Sequence, residues 1–586
     1  MIDNVRVLLT NKTGGYALLG EKPQSRFEGV FFARNGQLYK TIESLQYATP
    51  AERITNRIWC VERQRGQVTE RLVMPHGQDA LLLDMSAPQE FTLALDVKQS
   101  YDNRVWGRDY DISAEKGCVV FSFTKRNDGR DDNRAFHDEF DCHLAVCATP
   151  LDYMPLKQWE EHFYPSDQAR GSSPDSRWVH VGAKFRGSRF AFGFGLTKNE
   201  ALATARTVLA RSARILDEEE KRVAKRTTSN AFAFNDPEVT RKCCVNALDC
   251  LSVKNEGIYA GLPWFFQFWA RDELISCRGL LAAGNAALAK TIMFRHLERL
   301  RDGKLSTHPS ATLAAADAPG WLFVRLEDLC RFDDHNSLKL LTKAERDVIA
   351  QKLHDHLDIV QRYRLHDGLV ANGPQETWMD TVWENDTRSG CRIEVQALTL
   401  ANCRFYTYLS GMTHPMEKGL KTLTRDTFHK KNVIFDGKGD PTARPNAFIA
   451  AYVYPELFTK KDWSAFFSTL LPKLWLPWGG LASIDKGHPL YTARYSGENN
   501  KSYHRGDSWF WVNNVAAIVL NRIDRVKFER HINRILEAST HEMLHMGASG
   551  FSAELSSAEQ LRSEGCLAQA WSSATLLELL EERYRR

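Results

Sequence analysis

Pro374-Gln375-Glu376-Thr377-Trp378-Met379-Asp380, with Ile393-Glu394-Val395-Gln396-Ala397-Leu398 close behind it, decides how the second half of this chain folds. A polar loop opened by proline runs into a strongly helical segment. The arrangement recurs along the chain. Gly550-Phe551-Ser552-Ala553-Glu554-Leu555-Ser556-Ser557 precedes a helix over 566–584, where Leu567, Ala570, Trp571, Ala574 and Leu577 share a face. Tyr259 to Asp272 and Tyr503 to Trp511 are aromatic loops that enter helices in the same way. Thr342 with Glu345 forms a capping box leading into Val348, Ile349, Leu353, Leu357 and Val360. Further helices are expected over 238–252, 272–283, 286–301, 321–331, 393–409, 460–471, 508–522 and 526–544. That makes about a dozen helices from residue 237 to the end. Helices joined by long loops rich in Trp, Gly and Asp suggest a ring of helical hairpins, the all-α (α/α)6 barrel. No short-period repeat points to a solenoid.

The first part of the chain reads differently. Short apolar or alternating runs lie at Gly29–Ala33, Ala80–Met85, Phe91–Val97, Cys118–Thr124, Trp178–Phe185 and Arg189–Gly195. Turn residues such as Asn35-Gly36 and Asn127-Asp128-Gly129 separate them. This predicts an antiparallel β-sandwich over 1–205. A charged helix with Asp217-Glu218-Glu219-Glu220-Lys221-Arg222 follows, expected as a linker over 206–236. The catalytic part is then 237–586. A length of 586 residues suits such a multidomain chain.

Composition excludes several functions. The 77 basic and 73 acidic residues nearly cancel, and no basic block suggests nucleic-acid binding. Mean hydropathy is −0.41. No apolar stretch reaches the ~18 residues of a membrane span, and no signal-peptide pattern is visible at Met1 to Val5. The twelve cysteines form no metal-spaced cluster and read mostly as buried free thiols of a reducing cytosol, which implies a cytoplasmic setting. Fifteen tryptophans exceed ordinary core needs, and Trp is a usual platform for sugar rings.

Asp380 and Glu554 are the candidate acid and base, because paired carboxyls in different protonation states perform glycoside hydrolysis. Asp380 has a bland alternative as an Asx-turn residue. Asp380 stands beside Trp378, and an apolar wall would raise its pKa as a general acid requires. Glu376, Glu384 and Glu394 rival it; Glu394 lies inside a helix and suits an orienting role. Glu559 and Glu564 rival Glu554. Arg271 and Asp272 end the first aromatic loop, where a planar donor fork and an acceptor suit two sugar hydroxyls. Asp272 equally suits the first turn of a helix. Asp317, before Trp321, has the same ambiguity. Asp507 or Ser508 suits a helix cap, and His504 has no second histidine at metal spacing, so no metal site is expected.

Together these motifs resemble the archaeal-type glycogen debranching enzymes, the amylo-α-1,6-glucosidase family related to glucoamylases. That family's Trp-x-Arg-Asp is matched by Trp269-Ala270-Arg271-Asp272, and its Gln-x-Thr-Trp-Met-Asp by Gln375 to Asp380. Its Val-Glu-Ile-Asn/Gln-Ala-Leu appears as Ile393 to Leu398, and its Tyr-His-Gln-Gly-x-x-Trp-Pro-Trp as Tyr503 to Trp511. Its Gly-Cys-x-Ala-Gln-Ala-Trp-Ser appears as Gly565 to Ser572. Near the N-terminus, Gly14-Gly15-Tyr16-Ala17 and Ser25-Arg26-Phe27-Glu28-Gly29 also look similar. The chain departs at Arg505, where the family has Gln, at Asp507-Ser508, at Cys391-Arg392 and at Glu28.

The resemblance implies a β-sandwich followed by an (α/α)6 barrel, and inverting hydrolysis at α-1,6 branch points of glycogen-like glucans. It assigns Asp380 as acid and Glu554 as base. An α-glucan or oligosaccharide substrate is implied, with no metal or organic cofactor. Candidate sugar-binding residues are Trp264, Trp269, Arg271, Asp272, Asp317, Gln375, Trp378, Glu394, Tyr503, His504, Arg505 and Trp509. An α-1,4-specific glucoamylase-like enzyme, a disaccharide hydrolase or phosphorylase, and a non-catalytic glucan-binding protein remain as alternatives. The sequence does not set the oligomeric state.

Overall fold

A computed structural model of the chain describes residues 5–127, 139–228, 235–308, 314–336 and 339–584. The expected turn residues Asp128 and Gly129, and Met1 to Asn4, lie outside the described residues. The chain divides into two compact units. One comprises Met1–Thr228, Asp249–Lys254 and Gly547–Gly550. The other comprises Ser229–Leu248, Asn255–Met546 and Phe551–Arg586.

The first unit is built on a thirteen-stranded antiparallel sheet. Two strands of 20 residues, Ala80–Gln99 and Ser176–Gly195, pair with each other along their length. Each corresponds to two of the short runs expected from sequence. Register shifts at Val181/Ala183 and Gly187/Arg189 absorb the irregularity that reads as a break. The halves of these strands take different outer partners. Ala80–Gln99 pairs with Val68–Val73 at one end and Gln37–Gln46 at the other. Ser176–Gly195 pairs with Asp152–Phe163 and then with Phe140–Ala148. Leu83, Leu93, Leu95, Phe121, Phe185 and Phe192 belong to one buried core of this unit. Cys118 and Cys147, directly opposed on neighbouring strands with Cα atoms 4.1 Å apart, are disulfide-bonded. The other ten cysteines are free and buried.

Among the described residues three helices belong to this unit: α1 (Pro165–Ala169), α2 (Lys198–Ala210) and α3 (Ser212–Thr227). The stretch expected as a linker therefore carries α3, whose Ile215, Glu219 and Val223 are buried, and stays with the first unit through Thr228. Residues 229–234 of that stretch lie outside the described residues.

Eleven further helices follow among the described residues. They are α4 (Asn235–Leu251), α5 (Ala270–Ala282), α6 (Ala286–Arg299), α7 (Ala318–His335), α8 (Lys343–Tyr363) and α9 (Ile393–Ser410). Next come α10 (Pro415–Phe428), α11 (Asn446–Val453), α12 (Lys460–Leu474), α13 (Phe510–His545) and α14 (Ala570–Tyr584). The capping box at Thr342 and Glu345 is present. The gap expected between 522 and 526 is a kink in α13 at non-helical Asp524. Helices α10 and α11 were not anticipated. In α11 every residue is buried, so it has no amphipathic period to read.

Burial sorts ten of these helices, α5 to α14, into two kinds. Most residues in the opening turns of α5, α7, α9, α13 and α14, and all of α11, are buried on every side. In contrast, α6, α8, α10 and α12 bury one stripe. The fully buried helices follow one another in space: α5 beside α7, α7 beside α9, α9 beside α11, α11 beside α13, α13 beside α14, and α14 beside α5. The one-sided helices pack against members of this circuit.

Candidate active site

Loops entering the fully buried helices carry the candidate residues, and their polar atoms bond to one another. At the start of α5, the Arg271 Nε donates to both Asp317 oxygens at 3.0 and 3.2 Å, just before α7. Its Nη1 reaches Asp380 Oδ2 at 3.2 Å. Asp317 occupies the N-cap position of α7 but makes no side-chain cap there, so its carboxylate is committed to Arg271. Gln569, at the entry to α14, donates through Nε2 to Asp272 Oδ1 at 3.1 Å. A short antiparallel pair, Gly261–Leu262 with Ala568–Gln569, ties those two loops together.

The Tyr503–Trp509 loop sits against both candidate carboxylates. Strand pairing of Ser508–Trp509 with Leu555–Ser556 brings it beside Glu554. The Tyr503 hydroxyl donates to Glu554 Oε1, and the Cys566 backbone N–H donates to Oε2 at 2.9 Å. Gly565 adopts φ +65°, and a Cβ there would stand 2.3 Å from Glu554 Oε2, so glycine is required where the chain passes the carboxylate. The next residue, His504, places Nε2 3.4 Å from Asp380 Oδ1.

Electrostatics separate the acids. Burial pushes Asp272 up to about 8; Arg271 opposes this, while the charges of Glu554 and Asp380 reinforce it. At neutral pH its carboxyl carries a proton and can donate as well as accept. Burial works in the same direction on Asp380, but the hydrogen bond from His504 and the charge of Arg271 outweigh it. They hold Asp380 below its ordinary value. This corrects the expectation that Trp378 would raise it. Burial lowers His504 to about 4, so its ring is neutral near pH 7. Burial, then the charge of Glu554, keeps Tyr503 well above its ordinary value and therefore protonated.

Other candidates take supporting positions. Trp378 and Trp509 are 2 % and 3 % exposed and cannot serve as open walls for a sugar. Trp378 donates to Asn446 Oδ1 at 2.7 Å and packs edge-on against Trp509 and Trp511. Trp509 stacks under His504 at 5.0 Å. Trp264 and Trp269 are only half-buried. Gln375 is exposed and braces the loop by donating to the Asp380 carbonyl at 3.0 Å. Glu394 is buried on α9 and accepts from Arg388 at 2.9 Å. Arg388 also holds Thr377 and Asp436, so Glu394 supports the loop of Asp380 through Arg388. Arg505 turns to Asp386 and Thr381.

The rivals are accounted for locally. Glu376 accepts the Gly373 N–H at 2.6 Å and closes its own turn. Glu384 and Glu559 are exposed, while Glu564 pairs by backbone with Leu555. Sequence reasoning missed Glu542, fully buried on α13. It accepts from Ala553 N–H at 3.1 Å, Ser552 Oγ at 3.2 Å and Ser563 Oγ at 2.6 Å, bracing the loop of Glu554. Its i−4 and i−3 neighbours Ala538 and Ser539 and the adjacent Met543 are buried too, which was the available signal.

A model of the amylo-alpha-1,6-glucosidase family matches residues 228–578. No curated protein sequence matches the chain. Among solved structures it is similar to a bacterial glucoamylase complexed with acarbose, with TM-score 0.60 and 11% identity. The match covers 99% of this chain and 96% of that one. It also matches a GH63 mannosylglycerate hydrolase from Thermus thermophilus in complex with glucose, with TM-score 0.42 and 13% identity. That match covers 59% of this chain and 100% of the other. The glucoamylase likeness extends over nearly the whole fold, and the family match spans more than half of the sequence. The chain belongs to the amylo-alpha-1,6-glucosidase family of glycoside hydrolases.

Proposed function

We propose that this protein is an inverting hydrolase that releases glucose from α-1,6 branch points of glycogen-like α-glucans, and that its helical circuit is an (α/α)6 barrel that follows a β-sandwich domain in the chain. Asp380 protonates the leaving oxygen, and Glu554 activates water from the opposite face. The observation that carries the reading is the division of labour between consecutive residues: Tyr503 bonds Glu554, and His504 bonds Asp380. Two carboxyls held by neighbouring side chains belong to one site. Inversion needs a separation of about 6.5–9.5 Å, which leaves room for the attacking water.

Arg271 and Asp272 hold the terminal glucose, with Trp264 and Trp269 as walls. Arg271 Nη2 is buried with no hydrogen-bond partner among the described residues, which leaves a donor for a sugar hydroxyl. Sugar hydroxyls that engage Arg271 weaken its hold on the Asp380 anion, and exclusion of water raises the pKa of Asp380 further. The acid is thus protonated when substrate is in place. A cytoplasmic setting is part of the same proposal, supported by the buried free thiols.

Glucose release from isomaltose, panose, maltotriose and a branched limit dextrin, each with and without phosphate, tests the proposal. Phosphate-independent release with preference for the α-1,6 substrates is expected. Preference for maltotriose would favour an α-1,4 glucoamylase-like enzyme, and glucose 1-phosphate would mark a phosphorylase. No release from any of them would favour a glucan-binding protein.

A further inference from the structure

Arg505 is one of the positions where this chain departs from the pattern it resembles, two residues before the departure at Asp507-Ser508. The Arg505 side chain is 1 % exposed and turns away from the sugar-binding groups. Its Nε donates to Asp386 Oδ2 at 2.8 Å. Its Nη2 donates to the carbonyls of Thr381 and Asp386, both at 2.8 Å, and its Nη1 reaches Thr381 Oγ1 at 3.2 Å. A second guanidinium, Arg444, donates to the same Asp386 oxygen at 2.8 Å and to the His504 carbonyl at 3.0 Å. The segment 381–386 is thereby clamped at both ends. Within it Asp386 N–H closes a turn on the Trp383 carbonyl at 3.0 Å.

This segment begins at the residue after Asp380. A general acid must touch the glycosidic oxygen, so the backbone carrying it lies on the side of the departing group. Trp383 is half-buried, and its indole Nε1 is buried with no hydrogen-bond partner among the described residues. Trp383 lies three residues after the acid, and Lys501 Nζ stands over its ring at 5.9 Å; the unused donor and the other face of the indole suit one hydroxyl and one face of a glucose ring. Glutamine is shorter, carries a single amide, and cannot make the three-atom fork that holds both ends of the segment.

Resting on the assignment of Asp380 as the acid, we infer that Arg505 is a positioning residue for the leaving-group side of the site. It fixes the 381–386 turn so that Trp383 binds the glucosyl unit being left behind. The substrate preference of this chain then depends on a residue that touches no sugar.

Arg505→Gln, Arg505→Lys and Trp383→Ala, each as the full chain, test the inference with two substrates. Isomaltose has a glucose leaving group. α-Glucosyl fluoride has no leaving sugar to bind and needs little proton donation, so it reports the glucose pocket and the base. Arg505→Gln should lower kcat/KM for isomaltose at least tenfold more than for the fluoride, mostly through KM. Arg505→Lys should recover part of the loss, and Trp383→Ala should show the same differential without disturbing the buried ion pairs. Equal losses on both substrates for Arg505→Gln, or no differential for Trp383→Ala, would overturn the role of Arg505. An Asp380→Asn variant that kept near-wild-type turnover of isomaltose would instead overturn the acid assignment on which the inference rests.

Discussion

Tyr503 donates its hydroxyl to Glu554 Oε1, so a phenol that stays protonated across ordinary pH fixes one oxygen of the proposed base. The Cys566 N–H takes the other oxygen. A base held at both oxygens presents its remaining lone pairs in one direction, which is what activation of a single water requires. Tyr503→Phe should keep the fold and reduce kcat by about 10- to 100-fold through lost orientation. Steady-state kinetics with a melting curve check this. A variant with wild-type kcat would show that Tyr503 does not orient the base.

Asp380→Asn and Glu554→Gln should each reduce turnover by about 10²- to 10⁴-fold while the protein stays folded. Both changes preserve volume and remove proton transfer. Circular dichroism alongside glucose release separates catalysis from stability. Near-wild-type turnover in either variant would remove that residue from its role.

The loops that carry Asp380 and Glu554 were legible because a polar loop before a strongly periodic helix leaves a local signature. The supporting contacts were not. Arg388 and Asp436 are separated by 48 positions and meet only in the folded chain. Trp378 and Trp509 looked like sugar walls because composition cannot distinguish a buried indole from an open one; they are the packing beneath His504. Arg505 looked like a sugar ligand, yet its partner Asp386 lies 119 positions away. The strands Ala80–Gln99 and Ser176–Gly195 looked like four short runs because register shifts interrupt alternation without ending a strand.

Arg271 ties the state of Asp380 to pH. With Arg271 and His504 holding Asp380 below its ordinary value, the protonated acid in free enzyme declines as pH rises past that value. The alkaline limb of kcat/KM should therefore lie on the acidic side. Removing the guanidinium charge in Arg271→Met raises the pKa of Asp380, so the limb should move to higher pH while KM rises. A limb that stays in place would show that Arg271 does not set this ionisation.

Glu542 links stability to pH. Burial raises its pKa from 4.5 to about 7, against the pull of its Ser563, Ala553 and Ser552 hydrogen bonds. The folded state thus binds a proton that the unfolded state has released between those values. Its stabilising contribution is full below about 4.5 and falls as pH climbs toward 7, by roughly 3 kcal/mol over the interval. Glu542→Gln should flatten that part of the stability profile in denaturant titrations across pH. An unchanged profile would mean that Glu542 is ionised in the fold.

The stereochemistry of the first product tests the central claim most directly. Proton NMR of the hydrolysis of methyl α-isomaltoside, whose leaving sugar has no free anomeric centre, recorded before mutarotation, should show β-glucose appearing first, because water activated by Glu554 attacks opposite the bond protonated by Asp380. Initial α-glucose would mean double displacement through a covalent intermediate and would contradict the assignment of Glu554 as base.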